Sequence, residues 1–257
     1  MYLYLILYIM NEIKKLNVNG TEYSFNVDVI EGYLNSGNFY KEEQIVADYV
    51  EIGGLKWATM NIGASSITDY GLYFQWGDTS GYTADQVGSG SGQKAFSWTD
   101  YKYGNGISSP GSTGMTKYNS TDGKTALDAS DDAARANWGD KWRMPTTEEF
   151  AALGTATTSA WTADYQGSGV DGLVLTDKTD SSKVLFFPAA GYCDNGSVTY
   201  VRKRGLYWSS SVISSNVKYA YKSNFDSGGV YWQNSNSRYN GLAVRGVWDG
   251  EGIPVIP

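Results

Sequence analysis

The sequence predicts an α+β fold in which two helices are set among short, mostly antiparallel strands. Its 257 residues suit one large domain or two small ones and can bury roughly 70–75% of the unfolded chain's surface. Short apolar runs broken by glycine-rich turns predict the strands, and only two stretches carry convincing helix signals. Helices placed within a run of strands favour α+β over a sandwich or a doubly wound sheet.

The first helix is predicted from about Ser130 to Gly139. Asp131 and Asp132 fall in its opening turn, where acidic side chains favour the positive end of the helix dipole. A glycine directly after the last apolar residue is typical of a helix end.

The second helix is predicted to follow Pro145. Thr146 and Glu149 have the spacing of a capping box, and apolar residues come directly after them. We expect Gly154 to end this helix, after which strands resume as far as the end of the domain.

The chain divides into three predicted parts. Residues 1–47 form a β-rich attachment or oligomerisation segment, with a hairpin turn at Asn19–Gly20 between two alternating runs. Residues 48–248 form the ligand-binding domain, and residues 249–257 form a tail. Residues 1–9 are apolar but too short to span a bilayer, and they lack the features of a signal peptide. We expect either translation from Met10 or an N-terminal strand buried against another subunit, and no export signal.

Composition excludes several kinds of chemistry. The chain has no histidine, so it has neither a Ser-His-Asp triad nor a histidine metal site. Its only cysteine, Cys193, excludes an internal disulfide and a thiolate zinc cluster, and we expect it to be a small core residue. The net charge of −7, with no run of Lys or Arg, argues against nucleic-acid binding.

Residues 209–241 have the composition of a binding surface. Of these 33 positions, 18 are Ser, Asn or Tyr. Tyrosine supplies rigid contact area, and Ser, Gly and Asn supply adaptable hydrogen bonds. A solvated, turn-rich surface would use Ser, Asn and Gly equally well, but it gives no reason for four tyrosines.

Strand alternation predicts which of these side chains support the sheet. Val217, Tyr219, Tyr221, Ser223 and Phe225 should share one face of a strand, with Lys218, Ala220, Lys222 and Asn224 on the other. In the next strand Val230 and Trp232 are the predicted core anchors, which leaves Tyr231 and Gln233 free for a ligand. The tryptophans outside this face are also expected in the core, namely Trp57, Trp76, Trp98, Trp138, Trp142 and Trp208.

Five segments together resemble the FISUMP-type domain, a C-type-lectin-like fold related to the formylglycine-generating enzymes. They are YGLYFQWGDTS (70–80), DDAARANWGDKWRMPTTEEF (131–150), FFPAAGY (186–192), GLYWSSS (205–211) and SRYNGLAVRGV (237–247). The resemblance covers roughly residues 50–248 and implies a C-type-lectin-like fold. Some such domains are similar to the variable proteins of diversity-generating retroelements, whose type case is a trimeric phage tail protein that selects the host receptor.

In such proteins a reverse transcriptase rewrites adenine positions near the end of the gene, and AAC codons can then encode Tyr, Ser, Asp, Gly or Asn. Trp232 fits an immutable anchor, because its codon has no adenine, whereas Gln233 and Lys222 depart from an AAC template. The predicted ligand-binding residues are Tyr219, Tyr221, Asn224, Asp226, Gly228, Gly229, Tyr231, Gln233, Asn234, Ser235, Asn236, Ser237 and Tyr239.

These observations predict a non-enzymatic receptor-binding protein of a phage tail, assembled in the host cytoplasm. The resemblance implies a host surface receptor (protein or glycan), other tail proteins and two further copies of the chain as partners, and no membrane span is expected. The alternative is a cell-surface or secreted lectin-like adhesin without diversification.

An enzyme is disfavoured. The oxidase relatives need paired cysteines, and Asp131, Asp132, Glu148 and Glu149 are explained by positions at helix starts. No cofactor is expected, because the E-P-N or Q-P-D motif of calcium-dependent lectins is missing. Calcium at a structural site is left open by the sequence.

Overall fold

Strands dominate the molecule. The computed structural model describes residues 49–109 and 114–250 and four short outlying strands, and its content is 38% strand against 14% helix. The predicted α+β, C-type-lectin-like fold is therefore wrong, and the protein is mostly β. The physical reason is that the two α-helices among the described residues have only six and ten residues. Helices of this size do not form a layer of their own.

The strands and helices follow one another along the chain in this order: β1 (Lys15–Val18), β2 (Thr21–Ser24), β3 (Ile45–Val46), β4 (Tyr49–Ile52), β5 (Leu55–Asn61), α1 (Ala133–Trp138), β6 (Trp142–Arg143), α2 (Thr147–Ala156), β7 (Thr157–Thr162), β8 (Gly172–Asp177), β9 (Val184–Pro188), β10 (Tyr192–Asp194), β11 (Ser197–Thr199), β12 (Arg204–Val212), β13 (Tyr219–Asp226), β14 (Gly229–Ser237), β15 (Arg245–Trp248) and β16 (Val255–Ile256). Single 3-10 turns occur at 84–86, 98–100, 129–131 and 165–167.

The strands pair into small antiparallel sheets. Their orders are β4-β5-β15-β6, β7-β8-β9 and β12-β13-β14, with two-stranded pairs β1-β2, β3-β16 and β10-β11. The hairpin predicted at Asn19–Gly20 is confirmed, since Val18 pairs with Thr21 across it. The expectation for residues 1–9 lies outside the described residues.

The first helix begins later than its sequence signals suggest. Ser130 and Asp131 lie in a separate 3-10 turn, and the Asp132 side chain caps α1 by accepting hydrogen bonds from the backbone N–H groups of residues 134 and 135. The predicted stop at Gly139 is confirmed, because its φ of 95° is in the region that favours glycine.

The second helix begins as predicted and ends two residues later than predicted. Thr146 and Glu149 form the expected capping box. Gly154 does not terminate the helix, which continues to Ala156. A Cβ on Gly154 would lie 2.2 Å from Nε1 of Trp232, so this glycine permits a close approach between α2 and β14.

Two hydrophobic clusters form the core. One contains Trp76, Trp142 and Trp208, and the other contains Trp57 and Phe150. Cys193 is buried in the second cluster, as predicted. The core prediction for tryptophan holds for residues 57, 76, 138, 142 and 208, whereas Trp98 and Trp232 are only partly buried.

Candidate functional site

Twelve of the thirteen predicted ligand-binding residues lie on one β-hairpin, formed by β13 and β14. The hairpin and β12 form a three-stranded sheet in which β13 is the central strand. Trp208 of β12 fixes this sheet to the core, because its Nε1 donates a hydrogen bond to the carbonyl oxygen of Phe74 at 2.8 Å. Gly205 of β12 lies opposite Phe225, and Trp208 lies opposite Lys222. Buried residues occur on both predicted faces of β13, so burial does not alternate along this strand.

One side of the hairpin, which we call the helix face, is held against α2. Phe225, Val230 and Trp232 belong to the same cluster as Phe150 of α2. Val230 and Trp232, the predicted core anchors, pack against this cluster but are only partly buried. Further along the hairpin, half-buried Tyr219 pairs with Ser237 and half-buried Tyr221 pairs with Ser235.

The opposite side, which we call the lysine face, carries Ala220, Lys222, Asn224 and Asp226. Their partners in β14 are Asn236, Asn234, Tyr231 and Gly229 respectively. Tyr231 has 59% of its surface exposed and Asn234 is also exposed. β14 contains a β-bulge in the middle of the hairpin, where the two residues Trp232 and Gln233 lie opposite the single residue Ser223. Gln233 is exposed at this bulge.

Burial separates the predicted binding residues from their neighbours. Four positions within residues 219–237 are buried, namely Ala220, Lys222, Ser223 and Phe225. None of these four is a predicted contact residue, and all thirteen predicted residues are half-buried or exposed. Hence the side chains that suit ligand contact and those that support the sheet occupy different positions in this hairpin.

Lys222 is a buried residue of the lysine face and pairs across the strands with Asn234. The residue is only 5% exposed, and its ammonium donates a hydrogen bond to Oδ1 of Asn224 at 2.7 Å. Burial, together with the smaller effect of the positive charge of Arg204, lowers the pKa of Lys222 to about 8. Within the part of the chain that the structure describes, no carboxylate forms an ion pair with this ammonium.

Arg238 fixes the end of the hairpin, a role that the sequence analysis missed. Its side chain is fully buried, with Nε donating to the Tyr101 hydroxyl and the guanidinium donating to the carbonyl oxygens of Lys117, Tyr118 and Val217. The guanidinium also lies 4.8 Å from the ring centroid of Trp76. No local pattern marks this arginine, because its partners are distant in sequence.

Tyr239 does not join the hairpin surface. Its ring packs against Trp98 with centroids 4.8 Å apart, and the two rings help to line a cavity of about 350 Å³. The other lining residues are Ser97, Thr99, Ser108 and Asn195, so Tyr239 is the only predicted contact residue in this cavity. Burial and a hydrogen bond with Asp194 raise the pKa of Tyr239.

The tip of the hairpin borders a smaller cavity of about 180 Å³. Asp226, Gly228 and Gly229 line it together with Trp161 of β7. The predicted residues are thus distributed over two faces of one hairpin, its tip and a separate cavity.

Three of the four acidic residues considered for catalysis have structural partners, and the fourth, Glu148, is exposed in the first turn of α2. Asp132 caps α1 and also accepts from the backbone N–H of Met144, and Glu149 forms a two-bond ion pair with Arg143. Asp131 is not a helix cap as we expected, because it forms ion pairs with two lysines and accepts a hydrogen bond from the Tyr118 hydroxyl. Among the described residues, no three His, Cys, Asp or Glu side chains are grouped so that they could hold a metal ion.

Comparison with known proteins gives one partial match. A family model described as Domain of unknown function (DUF8237) matches residues 174–247, the stretch that contains β12–β14. No curated protein and no solved structure is similar to the chain. None of the helices in the described residues is both long and apolar enough to span a membrane.

Proposed function

We propose that this chain is a non-enzymatic ligand-binding protein that contacts its receptor through the β13–β14 hairpin. The observation that carries the proposal is the separation of exposed and buried positions within that hairpin. Tyr, Ser, Asn, Asp and Gly account for nearly all of the exposed or half-buried positions, whereas the positions that pack into the protein carry Ala, Lys, Phe, Val and Trp, with Ser223 as the exception. A surface selected for contact would have this distribution.

The biological setting that best accounts for this distribution is a phage tail. A retroelement that rewrites AAC codons would produce Tyr, Ser, Asn, Asp and Gly, and it would leave Trp232 unchanged as an anchor. In this setting the protein is part of the virion, joins other tail proteins as a trimer and selects a protein or glycan on the host surface. The three hairpins of one trimer could each bind the receptor weakly. Once one hairpin is bound, the others are held at a high effective concentration, so the trimer binds more tightly than a single hairpin.

The DNA around the gene tests diversification directly. We expect a near-copy of the codons for residues 209–247 beside a gene for a reverse transcriptase, with mismatches confined to adenines of the copy. If neither the copy nor the reverse transcriptase is present, diversification is refuted. A cell-surface or secreted adhesin that uses the same hairpin would then be the better interpretation.

Receptor binding has its own test. Labelled full-length protein is incubated with cells of the bacterial host in which the gene is found, and Tyr231→Ala is compared with Tyr200→Ala. Both tyrosines are among the exposed large side chains, at 59% and 45%, but Tyr200 lies outside the hairpin. We expect only the Tyr231 variant to lower adsorption, by about tenfold if Tyr231 is a central contact. Equal adsorption by both variants would contradict binding through the hairpin.

A further inference from the structure

The cavity beside Tyr239 has the volume of a small-molecule site. This volume of about 350 Å³ falls at the lower end of the range for ligand pockets, about 300–1,000 Å³. Besides Tyr239, three separate segments line the cavity: the turn at 97–99, the loop at Ser108 and the turn between β10 and β11 that contains Asn195. These walls belong to a scaffold outside the hairpin.

Two aromatic rings supply the apolar surface of this cavity. Trp98 is inclined by 60° to Tyr239, and its other neighbour, Tyr101, lies 5.6 Å away in an edge arrangement. Tyr101 is itself buried and bonded through its hydroxyl to the carbonyl oxygen of Trp76. The Trp98 ring is therefore supported from the core, and both rings are only partly buried, so they can contact a ligand.

Polar groups with fixed orientations lie around these rings. The Ser97 hydroxyl lies within hydrogen-bond distance of both the Asp100 carboxylate, at 3.0 Å, and the Thr99 hydroxyl, at 2.8 Å. Asn195 donates through Nδ2 to Asp194 at 2.9 Å, and its amide also carries an acceptor oxygen. The cavity thus presents hydroxyl and amide groups whose positions are set before a ligand arrives.

No charged side chain is among the six residues that line the cavity. An anionic ligand would therefore find no cation, whereas a ligand with several neutral hydroxyl groups would find both donors and acceptors. The apolar C–H surface of a pyranose ring suits an aromatic wall, and its hydroxyls suit Ser, Thr and Asn. The lining chemistry favours a neutral sugar.

From this combination we infer that the cavity is a binding subsite for one neutral hexose unit of a glycan, with Trp98 and Tyr239 as its stacking surface. The inference rests on the proposed function, for which it names a ligand class. The subsite lies outside the exposed hairpin positions. It would recognise the general chemistry of a surface glycan while the hairpin selects among glycans.

Saturation-transfer NMR on the full-length protein tests the subsite. The probes are the methyl glycosides of glucose, mannose, galactose and N-acetylglucosamine. A ligand of this size commonly reaches a dissociation constant of about 1 mM, so each sugar is titrated to roughly 20 times that concentration or more. We expect transfer to the ring protons of at least one sugar. Tyr239→Ala should raise the dissociation constant for that sugar by about tenfold, because the substitution removes one aromatic wall of the cavity.

A second variant guards against loss of folding. Ser108 is exposed, so Ser108→Tyr fills the cavity without disturbing the core, and it should also abolish transfer. The control is Tyr200→Ala, which lies outside the cavity and should bind the sugar as the parent does. The absence of transfer with all four sugars, or equal binding by the Ser108 and Tyr200 variants, would overturn the inference.

The two proposals can fail separately. Sugar binding that depends on Tyr239, together with cell adsorption that is insensitive to Tyr231, would retain the subsite and refute the hairpin. Adsorption that depends on Tyr231, without any sugar transfer, would retain the hairpin and refute the subsite.

Discussion

Lys222 offers a quantitative test of how the hairpin is supported. The residue is buried, its ammonium has Asn224 as a neutral partner, and Arg204 is the nearby charge. Arg204 is itself paired with Asp226, at 3.6 Å. Substitution of Lys222 by methionine keeps an unbranched apolar stem and removes the charge.

The pKa of Lys222 fixes the size and sign of the expected effect. The pKa falls from 10.5 to about 8 on folding, a difference of 10.5 minus 8, or about 2.5 units, which corresponds to about 3 kcal/mol. Below pH 8 both the folded and unfolded chains carry the proton, so the folded state bears the full cost of the buried charge. Between pH 8 and pH 10.5 only the unfolded chain retains the proton, and the stability of the native protein therefore rises with pH.

Denaturant unfolding of the native protein and Lys222→Met at pH 7, 8, 9 and 10 measures this effect. We expect the variant to be the more stable at pH 7 and its advantage to shrink by about 2.5 kcal/mol by pH 10. The control is Lys218→Met. Lys218 is less buried and lies directly before β13, so this substitution should change the free energy of unfolding by no more than about 0.5 kcal/mol. A difference between Lys222→Met and the native protein that does not vary with pH would refute the burial of this ammonium.

Three further predictions concern the scaffold. Arg238→Met should lower the free energy of unfolding by about 3 kcal/mol or more, because it leaves buried carbonyl groups without donors, and denaturant titration measures this loss. Gly154→Ala should destabilise the protein by about 1–3 kcal/mol in a thermal melt, although alanine is normally the better helix former, because its Cβ would overlap Trp232. Cys193 should resist a thiol reagent at pH 8 until the protein is unfolded, because burial raises the pKa of its thiol; rapid reaction of the native protein would contradict this.

Local signals in the sequence predicted local structure correctly. The capping box of Thr146 and Glu149 depends only on residues a few positions apart, and the structure confirms it. Strand alternation was a weaker guide, because β13 carries buried residues on both of its faces. The predicted fold class is wrong because it gave two well-marked helices too much weight relative to many short strands. These helices are only six and ten residues long.

Contacts between distant residues could not be predicted in this way. Arg238 and Tyr101 are 137 positions apart, and no pattern within 209–241 indicates that this arginine is buried. The same limit applies to Tyr239, whose composition grouped it with the hairpin although its nearest aromatic neighbour is Trp98. Gly154 was expected to end a helix, but its role is to allow close packing against Trp232, which is far along the chain.

The arrangement of the hairpin explains how a contact surface could change without loss of the fold. Phe225, Val230 and Trp232 hold the hairpin against α2, and Arg238 fixes its end through bonds to loops elsewhere in the chain. The exposed side chains contribute little to either attachment, and substitutions at exposed positions usually alter stability by no more than about 0.5 kcal/mol. Many sequences at these positions are therefore compatible with one backbone. Any difference in what they bind would come from the side chains themselves and not from a change in the scaffold.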